Sequence, residues 1–142
     1  MGWKEDLDIE MRKTCNRILN NGIAVGERYD KDTAVSMISQ ITSTKPDLQG
    51  HSGVGALLFV FLANVNTIKD ASELTVLHDD FVINRNVQKI KGIAENGISW
   101  QIFNFQSREP TVYMGLSDDG KKRIYRMTMT ANYAYSKSPK LI

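Results

Sequence analysis

The sequence predicts an α+β protein in which two or three N-terminal helices pack on a curved antiparallel β-meander of about five or six strands. Three observations carry that class. Apolar residues recur at helical spacing near the start of the chain, the period changes to two from Glu73 onward, and the turn dipeptides Asn96-Gly97 and Asp119-Gly120 punctuate the second half. With 142 residues, 42% hydrophobic and 24% charged, the chain fits a single domain, expected over 1–135 with a loose tail over 136–142.

The first element is a helix from Trp3 to Asn20, because Trp3, Leu7, Met11, Cys15, Ile18 and Leu19 form one apolar stripe. Asp6, Asp8 and Glu10 near its start and Arg12, Lys13 and Arg17 later complement the helix dipole, and Asn21-Gly22 stops it. A second helix is expected from Asp32 to Ile41, capped by Asp30 or Asp32, with Ala34, Met37, Ile38 and Ile41 inward. The apolar run inside Gly50–Asn66 suits a buried helix capped by Ser52 or a central strand, with helix slightly favoured. Strands are then expected at Leu74–Leu77 and Phe81–Asn84, joined by a turn at His78-Asp79-Asp80. One hairpin joins Gln88–Glu95 to Ile98–Gln106 through a type I′ turn at Asn96-Gly97, and a second joins Thr111–Ser117 to Lys122–Ala131, with Pro110 separating the two.

Charge is unevenly laid out beneath a net value of +2. Residues 1–80 hold 8 Lys+Arg against 12 Asp+Glu, whereas residues 81–142 hold 10 against 4. The basic residues of the second half, Arg85, Lys89, Lys91, Lys121, Lys122, Arg123 and Arg126, are interleaved with Trp100, Phe103, Phe105, Tyr113, Tyr125, Tyr133 and Tyr135. Alternation puts Ile98, Trp100 and Ile102 on one strand face and Phe103 with Phe105 on the other, which assigns these aromatics mainly to the core. In the last strand Arg123, Tyr125, Met127 and Met129 share a face, and Ile124, Arg126, Thr128 and Thr130 the other.

No motif fixes a chemistry. Gly50-His51-Ser52-Gly53-Val54-Gly55 approaches G-x-S-x-G, but Val54 stands where the last glycine belongs, and its Walker-type spacing lacks the Lys and Ser/Thr that would meet phosphate and magnesium. His78, the two aspartates after it and His51 are the only candidate metal or acid–base cluster, and a strand would let His78 converge with Asp80 but not Asp79. Cys15 lies on the apolar stripe and reads as a core residue. Asp118-Asp119-Gly120 lacks the spaced oxygens of a calcium loop. No catalytic residue, metal or cofactor is therefore assigned.

The lone cysteine, the absence of a visible secretory signal and the lack of a transmembrane run lead to an expectation of a cytoplasmic or other reducing compartment. The function expected is a non-enzymatic binding or assembly protein of matrix or accessory type. Its basic hairpin face, Lys121, Lys122, Arg123, Tyr125 and Arg126 with Arg85, Lys89 and Lys91, would meet an anionic partner: nucleic acid, a membrane surface or another protomer, a homo-oligomer being expected. One alternative is a pocket lined by Trp100, Phe103, Tyr113 and His78 beneath helices on a curved sheet, similar in outline to the cone-shaped nuclear transport factor family. Another is a protein inhibitor of the immunity or antidefence kind.

Overall fold

The computed structural model describes residues 2–19, 25–26, 35–46, 52–65, 68–118 and 120–137. Helix α1 (Trp3–Leu19) forms as its periodicity requires, with Leu7, Met11, Cys15 and Leu19 buried and Trp3 and Ile18 packed at the margin of the core. Its expected stop at Asn21-Gly22 lies outside the described residues. Strands β1 (Val25–Gly26), β2 (Val35–Pro46), β3 (Ser52–Val65), β4 (Lys89–Ile93), β5 (Ser99–Leu116) and β6 (Arg123–Ser136) form one sheet in the order β1-β2-β3-β6-β5-β4. The short β1 runs parallel to β2, and every other pair is antiparallel. Helix α2 (Ile68–His78), extended by a π-helical turn at Asp79–Ile83, carries the chain from β3 to the far edge of the sheet. The class is α+β, with a second helix that is mid-chain and not N-terminal.

Three elements differ in type from expectation, each for a physical reason. Val35–Ile41 belongs to a strand and not a helix, because its alternate residues Val35 and Met37 are buried against Ala63 and Phe61 of β3, and the β-branched Val35, Ile38 and Ile41 suit that pairing. The expected caps Asp30 and Asp32, with Ala34, lie outside the described residues, as do Gly50 and His51. Ser52–Val65 is also a strand: Leu57, Phe59, Phe61 and Ala63 are buried on one face while Leu58, Val60 and Leu62 are half-buried on the other. A central strand apolar on both faces loses its alternation, which is why a helix fitted equally well. The segments 74–77 and 81–84 are helical, because Leu74, Leu77 and Phe81, spaced by three and four, all point into the core.

The hairpins stand with altered detail. At the first, Gly97 N–H donates to the Ala94 carbonyl and Ala94 N–H to the Ile98 carbonyl, both at 2.9 Å. Gly97 has φ +82° but Asn96 is not in the positive region, so this is a three-residue loop with a left-handed glycine and not a type I′ turn. At the second, Gly120 N–H donates to Ser117 O at 2.8 Å, Asp119 being outside the described residues. Pro110 does not separate two hairpins. It sits inside the long β5 where pairing with β6 skips from Glu109 to Val112, a bulge that needs no donor from proline. Strand β6 reaches Ser136, the first residue of the expected tail, and 138–142 lie outside the described residues.

Another bulge re-aims an aromatic. Asn104 adopts φ +58°, and the register slips between Phe103 and Gln106. Phe105 therefore turns inward, 2% exposed, with its ring 4.7 Å from that of Phe81, while Phe103 stays half-buried on the opposite face. The two do not share a face as strict alternation implied, because one left-handed residue resets the parity of the strand.

The core fills the space between the helices and one sheet face with Leu7, Met11, Leu74, Leu77, Phe59, Phe61, Ile102 and Trp100 among its wholly buried side chains. At one end three cross-strand pairs set a glycine opposite an aromatic residue: Gly53 with Tyr135, Gly55 with Tyr133, Gly92 with Trp100. A Cβ at Gly55 would strike the Ser43 carbonyl oxygen and come within 2.7 Å of the Tyr133 ring, and a Cβ at Gly92 would come within 2.7 Å of Trp100. The missing side chains let the rings lie flat on the sheet, where Trp3 of α1 stacks over Tyr133 and Tyr135 with centroids at 5.3 and 4.8 Å. Asp6 of the same helix accepts a hydrogen bond from Trp100 Nε1 at 2.6 Å, so this end of the sheet is locked to α1.

Candidate functional site

The basic residues expected to act together fall at two ends of the sheet. Lys89 pairs in register with Phe103, and Phe103 with Asn132, which lies nine residues along β6 from Arg123. At about 3.3 Å per strand residue, Lys89 and Lys91 therefore stand roughly 30 Å from the Lys121–Arg123 group, and the exposed Arg85, outside any strand, lies by Asn104 and Phe105. Lys89 and Lys91 lie beside α1 along a groove of about 430 Å³ that Glu10, Thr14 and Arg17 also line. They make a different surface.

At the other end, the chain reversal between β5 and β6 gathers Lys121, Lys122 and Arg123 with Tyr113, Met114, Leu116 and Tyr125. Tyr113 and Tyr125 face each other across the strands with ring centroids 5.4 Å apart. Leu116 pairs with Arg123, which by strand parity shares the face of Tyr125. That face is the core face continued: Met127 and Met129 are fully buried farther along β6, and Tyr125 packs partly against the core. Beyond Tyr125 the stripe emerges, leaving Tyr113 and Leu116 exposed at 54 and 58%, and Met114, at the irregularity between Tyr113 and Gly115, is 47% exposed beside them.

Arg126 does not join this group. It points to the opposite face, where Nε and Nη2 both donate to Glu109 Oε1 at 3.0 and 2.8 Å, so its charge is met internally. Lys122 and Arg123 hold no ion pair among the described residues, and Arg123 and Lys121 are exposed. The turn is not uniformly basic: Asp118 and Asp119 precede the three cations and leave Ser117–Arg123 at +1.

The four residues expected to line a pocket do not converge. Trp100 is wholly buried and bonded to Asp6, Phe103 is on the opposite sheet face beside Asn132, and Tyr113 is at the exposed hairpin. His78 ends α2, its Nδ1 3.0 Å from Asp79 Oδ1 and its Nε2 2.8 Å from Ser107 Oγ. The pairing is with Asp79 and not Asp80, which instead accepts from Asn86 Nδ2 at 2.6 Å, because a helical turn and not a strand follows His78. The Ser107–His78–Asp79 chain has the order of a nucleophile, base and carboxylate, and it spans two elements. It joins the end of α2 to the bulged part of β5, assisted by Thr75 and Thr111 hydroxyls at 3.2 Å. His51 lies outside the described residues.

Cys15 is sealed in the core, and burial pushes its thiol pKa far up, so it is no nucleophile. Among the described residues no three His, Cys, Asp or Glu side chains gather as metal ligands, and no helix is long and apolar enough to cross a membrane. Sequence reasoning did not single out Met114 and Leu116 and offered Tyr113 only as a pocket residue, whereas all three are exposed at the hairpin end. No protein-family model and no curated protein matches the chain.

Proposed function

We propose that this is a binding protein that engages an anionic partner through the tip of its β5–β6 hairpin, with no chemical step of its own. The observation that carries the reading is the coincidence at one place of exposed Tyr113, Met114 and Leu116 with Lys121, Lys122 and Arg123. Cations supply long-range attraction, and adjacent apolar groups add short-range contact that solvent would otherwise surround. Arg85, Lys89, Lys91 and Arg126 are left out of the interface, the first three by distance and the last by its bond to Glu109.

One fact favours binding over an enclosed ligand pocket. The sheet face under the helices is filled by Trp100, Tyr133, Phe59 and Phe61, each fully buried, where a ligand would have to sit.

The test is equilibrium binding of the intact chain to a single-stranded oligonucleotide and to anionic vesicles at low and moderate salt. Binding to at least one, weakening steeply with salt and weakened several-fold by Lys122→Ala with Arg123→Ala, is expected. No binding to either, with a monomer by light scattering at both ionic strengths, contradicts the reading.

A further inference from the structure

Resting on that reading, we infer that the anionic partner is a lipid surface, with Tyr113, Met114 and Leu116 entering the headgroup–acyl boundary and Lys122 and Arg123 meeting lipid phosphates. The charge count separates this from nucleic acid. Phosphate-polymer affinity depends on the number of phosphates neutralised, whereas this turn carries a net charge of only +1 over Ser117–Arg123. The aromatic geometry points the same way. Tyr113 and Tyr125 are tilted against each other at 55° with centroids 5.4 Å apart, an arrangement that spends one ring face on the other and leaves no open pair of parallel platforms for successive bases.

The aliphatic groups decide the matter. A nucleic acid backbone offers nothing to Met114 and Leu116, which are 47 and 58% exposed, but the interface of a bilayer accepts both. A tyrosine ring, apolar in body and polar at its tip, sits favourably at headgroup depth. Basic side chains at the same level gain about fivefold in binding for each lysine or arginine close to an anionic surface. Asp118 in the same turn moderates that attraction and sets a peripheral, salt-sensitive contact that needs the cations and the apolar tip together.

Co-sedimentation tests this with vesicles of phosphatidylcholine alone and of phosphatidylcholine with phosphatidylserine in equal parts, beside a single-stranded oligonucleotide in parallel. The intact chain should bind the mixed vesicles and not the neutral ones. Met114→Ser with Leu116→Ser should lower vesicle binding about tenfold. Lys122→Ala with Arg123→Ala should lower it several-fold and flatten its salt dependence, Lys121 being left in place. Oligonucleotide binding without vesicle binding overturns the lipid assignment and leaves the anionic-partner reading standing. Equal binding to neutral and mixed vesicles overturns the anionic-partner reading, and vesicle binding unmoved by Met114→Ser with Leu116→Ser overturns the insertion of the apolar tip. No binding to anything removes both.

Discussion

The two ends of the sheet treat the same residue types in opposite ways. At the α1 end, Tyr133, Tyr135 and Trp100 lie over Gly55, Gly53 and Gly92 and are closed in by Trp3 and Asp6. At the hairpin end, Tyr113 and Tyr125 contact each other, and Tyr113 is left 54% exposed. One aromatic pair is therefore structure and the other is surface, and the difference lies in what packs on top of them. Aromatic residues on a strand do not declare which they are. The partner element does.

If the α1 end is structural, damage there should appear as lost stability. Trp100→Ala is expected to have the largest effect, about 3–5 kcal/mol in urea unfolding, through the cavity and the orphaned Asp6. A loss under about 1 kcal/mol would break the comparison at its firmest point. Gly55→Ala should cost about 2–3 kcal/mol, because a methyl group there meets the Ser43 backbone and a ring that cannot both move away. Asp6→Ala should cost about 1–3 kcal/mol by leaving the Trp100 indole N–H without its acceptor. At the hairpin end, Arg126→Gln loses a half-exposed ion pair and should shift stability by about 0–1 kcal/mol. It should leave partner binding unchanged, and a fall in binding would mean that the opposite face takes part in the contact. The smallest effect on stability, within about ±0.5 kcal/mol, is expected for Met114→Ser with Leu116→Ser.

Much of this arrangement was legible in the sequence. Helix α1 follows from its stripe, and both hairpins follow from glycines after Asn96 and Asp119, since a left-handed residue in a tight turn is cheapest as glycine. The strand β3 was not legible, because Leu58, Val60 and Leu62 cover its second face and erase the period of two. Helix α2 was hidden beneath apparent alternation from Glu73, although Leu74, Leu77 and Phe81 already carried helical spacing. The parity reset at Asn104 could not be foreseen, because nothing local distinguishes an asparagine at a bulge from one in a regular ladder. For the candidate site, the cations and tyrosines of the last hairpin were visible, but their separation from Lys89 and Lys91 depends on strand order, and the exposure of Leu116 on tertiary packing that alternation does not encode.

A cysteine placed at either end can report which region meets the membrane, because Cys15 is buried and will not compete for a thiol-reactive dye. Leu116→Cys sits at the hairpin tip and Ile93→Cys at the opposite end, on residues 58 and 62% exposed. With an environment-sensitive fluorophore at each, mixed phosphatidylcholine–phosphatidylserine vesicles should shift the emission of the probe at 116 to the blue and leave that at 93 unmoved. A shift at 93 with none at 116, or no shift at either while the protein sediments with the vesicles, would contradict the account.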